Sequence, residues 1–501
     1  MAVAKKKTAP KKPAKKTPSA RTVSCWEDDP GDPKQQPPLA PITVPAPNQG
    51  AKPYAFKISG AAPAPSAYAP GTPGFRFYAT AAALRRTADF WGQVVAEGTK
   101  WEVGATLPVH LDDGVDLNAF YTRGDFQEPP GLHFFHDTVG GRTFYSCESP
   151  DVCCHEMGHA VLDSIRPQLF DAQTIEAAAF HESFGDMSAI LSALQVPSFR
   201  QEVLKETSGT LNRASRLSRL AEQLGAAIRV QHPDEVDPDC LRNAVNSFFY
   251  RDPQTLPPSA PANALSSEPH SFSRVFTGAF LDALAGIVKL QSKNPTADDL
   301  EQASQDAARL LVGGVLTASV VPDFYSQVAA HMIAASQTSP FNGKYKDVLK
   351  SAFVRRGILS LQAVAALASM RVQNIQKTAL AHRAAMVSNP VRGSTTLPTA
   401  SISAAAYGLT RTALTVHTAA EPRRLAVNSA ALTSGSIEAH SAQSAAESFT
   451  DDLFQRGRVD MGAHAHPESG ALHPMGFRTH FIVEQKGELL IKRRCFDCGF
   501  H

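Results

Sequence analysis

Several things are scarce or missing in this 501-residue chain. No run of about 18 apolar residues occurs, so no membrane-spanning helix is expected. No apolar stretch of secretory length follows the first lysines, so no signal peptide is expected. Seven cysteines, an odd number with Cys153 and Cys154 adjacent, do not suggest a disulfide framework. They favour a reducing compartment, and the expected location is cytoplasmic, with non-classical export left open. Charge is sparse at 19%, and the net charge of +2 excludes a polycation overall. Asp151 stands without an evident acidic cluster, and calcium is not supported by the sequence.

What is present falls into zones. Residues 1–22 form a basic tail: Lys5, Lys6, Lys7, Lys11, Lys12, Lys15, Lys16 and Arg21 precede any acid. Such a segment cannot bury a core and is expected to be disordered. Nucleic acid or another polyanion is one reading of its partner, and a merely solubilising tail is the other. Residues 23–74, rich in Pro and Ala, read as an extended linker. Residues 75–190 read as a strand-rich lobe ending in a helix. Residues 191–370 read as a helical lobe. Residues 371–501 read as a low-complexity extension closed by a hairpin around Lys486-Gly487. The fold class expected is α+β, with a cleft between the lobes.

The chemistry centres on His155-Glu-Met-Gly-His159. Residues i and i+4 share a helix face, so His155 and His159 can point at one metal ion. Glu156, turned about 100° from the first histidine, can reach a metal-bound water without binding the metal. Glu182 lies 23 residues after His159, on what should be the next helix, and Asp186 one turn further. Two histidines and a glutamate with an open fourth position suit a catalytic zinc. Asp186 can accept the spare N–H of a zinc-bound histidine.

This pattern resembles the thermolysin-like metallopeptidases, the gluzincins. Asp151 and Asp163 flank the histidines in the family's manner. Asn118-Ala119-Phe120-Tyr121 looks like the family's edge strand, which pairs with the substrate backbone. Leu241-Arg242-Asn243 resembles the segment whose arginine holds a substrate carbonyl. His270, 28 residues after Arg242, falls where the family carries its transition-state histidine. The stretch from Tyr345 to Ile358 looks like the closing helix. The likeness covers about residues 78–365. It implies a zinc endopeptidase acting on polypeptides, with Glu156 and His270 catalytic. His155, His159 and Glu182 would be ligands, Asp186 would support His155, and Asn118, Ala119 and Arg242 would bind substrate. Two positions depart from the family. Phe170 stands where a tyrosine is common, and Leu265 where the acid that orients the histidine belongs, with Glu268 as the substitute.

Two other readings stand beside the peptidase. One is a non-catalytic, zinc-stabilised binding module. The other is a peptidase that its basic tail recruits to nucleic acid.

Overall fold

The computed structural model describes residues 21–32, 39–367, 397–421, 440–466 and 477–499. The tail expected over 1–22 lies almost wholly outside them. The stretch expected as a linker does not behave as one. It carries β1 (Thr22–Cys25), β2 (Ile42–Pro45) and β3 (Phe56–Ile58), and Val23, Trp26, Tyr54, Phe56 and Ile58 are buried. Prolines interrupt the segment, but the few large apolar side chains between them supply enough burial to dock it. Trp26 sets its ring edge-on to Phe75, with centroids 5.5 Å apart.

Phe75 lies in α1 (Pro73–Val94). The start signal is local. Thr72 accepts the Phe75 N–H, and Pro73 occupies the first turn, where no N–H is needed. Short strands follow: β4 (Leu107–His110), β5 (Ala119–Thr122), β6 (Gly131–Phe134), β7 (His136–Val139) and β8 (Arg142–Tyr145). Then come α2 (Pro150–Ile165), α3 (Gln168–Asp171), α4 (Ile175–Ala193) and α5 (Pro197–Thr207). The short strands β9 (Arg219–Leu220) and β10 (Arg242–Asn243) flank α6 (Glu222–Gln231). Next are α7 (Pro269–Gln291), α8 (Ala297–Thr317), α9 (Phe324–Ser336), α10 (Lys346–Arg355) and α11 (Leu361–Leu367). By length and composition α7 could cross a membrane, but 83% of its most apolar window is buried inside the protein.

The region expected as a low-complexity extension is ordered where it is described. It forms β11 (Thr399–Ser403), β12 (Ala413–His417), α12 (Ala442–Gln455), β13 (Val459–Asp460), β14 (His480–Gln485), β15 (Glu488–Arg493) and β16 (Cys495–Asp497). The hairpin at Lys486-Gly487 is present, with both residues at positive φ. Its strands build a sheet of order β11-β12-β15-β14-β13. The other five-stranded sheet has the order β16-β5-β6-β4-β3. The protein is thus mixed α/β, and β16 carries the last described part of the chain into the sheet that precedes α2. One hydrophobic cluster includes Phe449, Ile482 and Ile491 together with Phe180 and Phe276, so this region shares the main core.

Two devices fix α2. First, Asp29 accepts hydrogen bonds from the Ser149 hydroxyl and the Gln223 N–H, tying the first described segment to the N-cap of α2. Asp28, Asp29 and Glu222 thereby surround Asp151, which the sequence left isolated. Burial lifts the Asp28 carboxyl to about 8, against the pull of Arg216, and lifts Glu222 to about 7, against Arg219. Second, α2 and α4 are buried on every side and touch through glycine. A Cβ on Gly158 would meet Ser188 Cβ at 2.8 Å and Gly185 Cα at 2.9 Å. A Cβ on Gly185 would meet the His155 ring at 2.6 Å.

Both devices are testable. Gly185→Ala forces the helices apart and is expected to destabilise by about 1–3 kcal/mol, read from denaturant unfolding without metal. An unchanged midpoint would show that the contact yields freely. A carboxyl with a raised folded pKa favours folding while protonated, and that advantage fades as pH climbs from about 4 toward 8. Asp28→Asn should therefore raise the unfolding midpoint at pH 8 and leave it nearly unchanged at pH 4. Equal midpoints for the two proteins at pH 8 would contradict this.

Candidate functional site

The helix caps set the positions of the chemistry. Ser149 caps α2 and Pro150 opens it, which places His155 and His159 one turn apart in its middle. Thr174 caps α4, which carries Glu182 and Asp186 on the side facing α2. Glu268 caps α7 by accepting the Ser271 N–H, which leaves His270 in the first turn.

Four of the expected residues converge. Glu182 Oε2 lies 3.3 Å from His155 Nε2, 3.7 Å from His159 Nε2 and 3.2 Å from His270 Nε2. Among the described residues, His155, Glu156 and His159 are the group able to hold a metal ion, with ligand atoms within 4.8 Å of one another. The Cys495-x-x-Cys498 motif assembles no second such group among them. Both histidine Nε2 atoms, Glu182 Oε2 and both Glu156 oxygens are buried without a hydrogen bond of good geometry. Orphaned polar atoms of this kind carry a desolvation cost of about 1–3 kcal/mol each, and more when charged.

The surrounding groups hold these atoms in place. His155 Nδ1 meets Asp186 Oδ1 at 3.0 Å, so its Nε2 faces the cluster. Burial alone would lower the His155 imidazole, but Asp186 and Glu182 outweigh it and raise it to about 9. Burial dominates at His159 and lowers it to about 3. Burial raises Glu156 to about 8, against the pull of His155. At Glu182, His270, His159 and His155 overcome burial and hold the carboxyl well below its usual range.

Arg242 was expected to hold a substrate carbonyl. Its guanidinium is instead 2.8 Å from Asp186, on the same Oδ1 that meets His155. It also lines a cavity of about 400 Å³ with His270, Glu268, Arg274, Cys498 and Gly499. The acid missing at Leu265 is supplied by Glu268, whose Oε1 is 2.8 Å from His270 Nδ1. Spacing could not show this, because the cap geometry turns Glu268 back toward the histidine. Phe170 serves as packing. The Arg123 guanidinium lies over its ring at 4.3 Å and pairs with the buried Asp163, which also receives the Tyr121 hydroxyl at 2.7 Å. This cluster fixes β5 against α2.

Asn118 and Ala119 are where the edge strand was expected, but the edge is covered. Strand β16 runs antiparallel to β5, with Cys495 opposite Thr122, Phe496 opposite Tyr121 and Asp497 opposite Phe120. The Cys498 N–H donates to Ala119 O at 2.8 Å, and the Gly499 N–H donates to Asn118 Oδ1 at 2.7 Å. His270 Nε2 lies 2.5 Å from Asp497 O. Phe496 stacks on His181 and His159, with centroids 4.0 Å and 5.0 Å away. Sequence reasoning missed His181 and Phe496, and noted Cys498 only as part of a C-x-x-C motif that could hold a second metal. His181, next to Glu182, was the one with a visible signal. No family model matches the chain, and no curated protein is significantly similar to it.

Proposed function

We propose that the protein is a zinc-dependent endopeptidase with its centre in a cleft between α2, α4 and the first turn of α7. The observation that carries this reading is the convergence of buried His155 Nε2 and His159 Nε2 within 3.7 Å of the buried Glu182 Oε2, none in a hydrogen bond of good geometry, with the buried Glu156 carboxylate beside them. Two imidazoles and a carboxylate are a catalytic zinc donor set, and Asp186 behind His155 is the usual support. When bound, zinc lowers the pKa of a water molecule and polarises a carbonyl.

The chain's own residues do the rest. Glu156, which is not needed as a ligand, takes a proton from the attacking water and delivers it to the leaving amine. His270, fixed by Glu268, donates from Nε2 to the oxygen that gains charge. Asn118 and Ala119 hold an extended peptide by strand addition, as they hold β16 here. Arg242 fixes Asp186 and flanks the far side of the groove, with its guanidinium beside the cavity. The non-catalytic alternative gives Glu156 no task, since a structural metal has no use for a second, unligated carboxylate.

Metal analysis of the purified chain tests the ligand set. One equivalent of zinc is expected in the native protein and its loss in His159→Ala; equal content in both would remove the assignment. Glu156→Gln should keep the zinc and lose at least about 10²-fold in peptide hydrolysis. That comparison is made in the native chain and in a Phe496→Ala background that loosens β16. Hydrolysis within a few-fold of the parent in both backgrounds would exclude Glu156 as the base.

A further inference from the structure

We propose that residues 495–499 are the protein's own occupant of its substrate groove, and that Cys498 is positioned to take the metal's open coordination site, so that the intact chain is latent. The proposal rests on the zinc reading above.

Strand β16 lies more than 300 residues beyond α2 in sequence, yet it covers the one described metal-capable cluster. Its backbone is bound as an extended peptide would be. It pairs antiparallel with β5, gives N–H groups to Ala119 O and Asn118 Oδ1, and presents the Asp497 carbonyl to His270. The histidine that would hold a reacting carbonyl is thus already engaged by the carbonyl of the Asp497–Cys498 peptide bond. The next side chain along is a thiol. Cys498 is 3% exposed, and its thiol leans on the Glu156 carboxylate, with Glu182 and Arg242 nearby. It therefore lies beside the carboxylate that the proposed reaction uses.

Thiolate sulfur is a preferred zinc ligand, and two histidines, a glutamate and a cysteine complete four-coordination. Ligation requires only loss of the S–H proton, for which Glu156 is adjacent, and no other bond changes. The blockade is specific to this segment. Phe496 is clamped between the His159 and His181 rings and Arg493, whose guanidinium lies 4.2 Å over the Phe496 ring and whose Nε donates to Phe170 O at 3.0 Å. A tethered strand competes with free peptide at an effective concentration on the order of millimolar. A substrate must therefore displace it.

The experiment uses the full chain loaded with cobalt(II) in place of zinc, as the native protein, Cys498→Ser and Phe496→Ala. The native protein is expected to bind one cobalt and show thiolate-to-metal charge-transfer absorption. Cys498→Ser should keep the cobalt and lose that absorption. In Phe496→Ala, iodoacetamide should alkylate Cys498, as read by peptide mass, while Cys498 of the loaded native protein stays protected. Peptide hydrolysis by the zinc form should rise at least about tenfold in both variants. Bound cobalt without charge transfer in the native protein, or hydrolysis equal in all three proteins, would overturn the proposal. No bound metal in any of the three would instead overturn the zinc reading on which it stands.

Discussion

Helices α2 and α4 have no solvent face, and glycine lets them touch. Gly158 and Gly185 bring their backbones together so closely that a single added carbon would collide with Ser188 or the His155 ring. That approach puts His155, His159, Glu182 and Asp186 into one buried space. The cost is a group of buried polar atoms without hydrogen bonds of good geometry. Buried polar groups are normally satisfied, and the exceptions ask for a reason. A bound cation, as proposed, would supply one. The rest of the arrangement follows from holding these helices in register: the Asp29 bridge to the Ser149 cap, the Arg123–Asp163 pair beneath β5, and Arg242 on Asp186.

The second constraint is an edge. A strand with free N–H and C=O groups pairs with whatever extended chain reaches it. Here β5 is satisfied by β16, and the same hydrogen bonds that would bind a peptide bind the chain itself. The site and its cover are therefore one structure. Phe496 on the histidine rings supplies packing, Cys498 would supply the proposed metal ligand, and Asp497 O meets the His270 nitrogen that the proposed reaction would use.

The chemical residues were legible because helical spacing is local. His155 and His159 at i,i+4 on α2, and Glu182 and Asp186 at the same interval on α4, needed no tertiary information. The hairpin at Lys486-Gly487 was legible for the same reason. What stayed hidden depends on long-range contact. The segment with Asp28 and Asp29 read as a linker because its prolines dominate its composition, while Trp26 and Phe56 decide its burial. Strands β11 and β12 are short and gain their place by pairing with each other, and β12 with β15. The pairing of β16 with β5 spans more than 370 positions, and nothing local in Cys495-Phe-Asp-Cys498 names its partner. Glu268 was visible as an acid, but its reach to His270 depends on the cap it makes.

X-ray absorption at the zinc edge of the intact protein tests the account most directly. The account predicts one zinc per chain with nitrogen and oxygen ligands at about 2.0–2.2 Å and a single sulfur at about 2.3 Å. Two nitrogens should be imidazole, from His155 and His159, and the sulfur should vanish in Cys498→Ser while the imidazoles remain. A chain without zinc, or a zinc whose shell contains no imidazole, would contradict it.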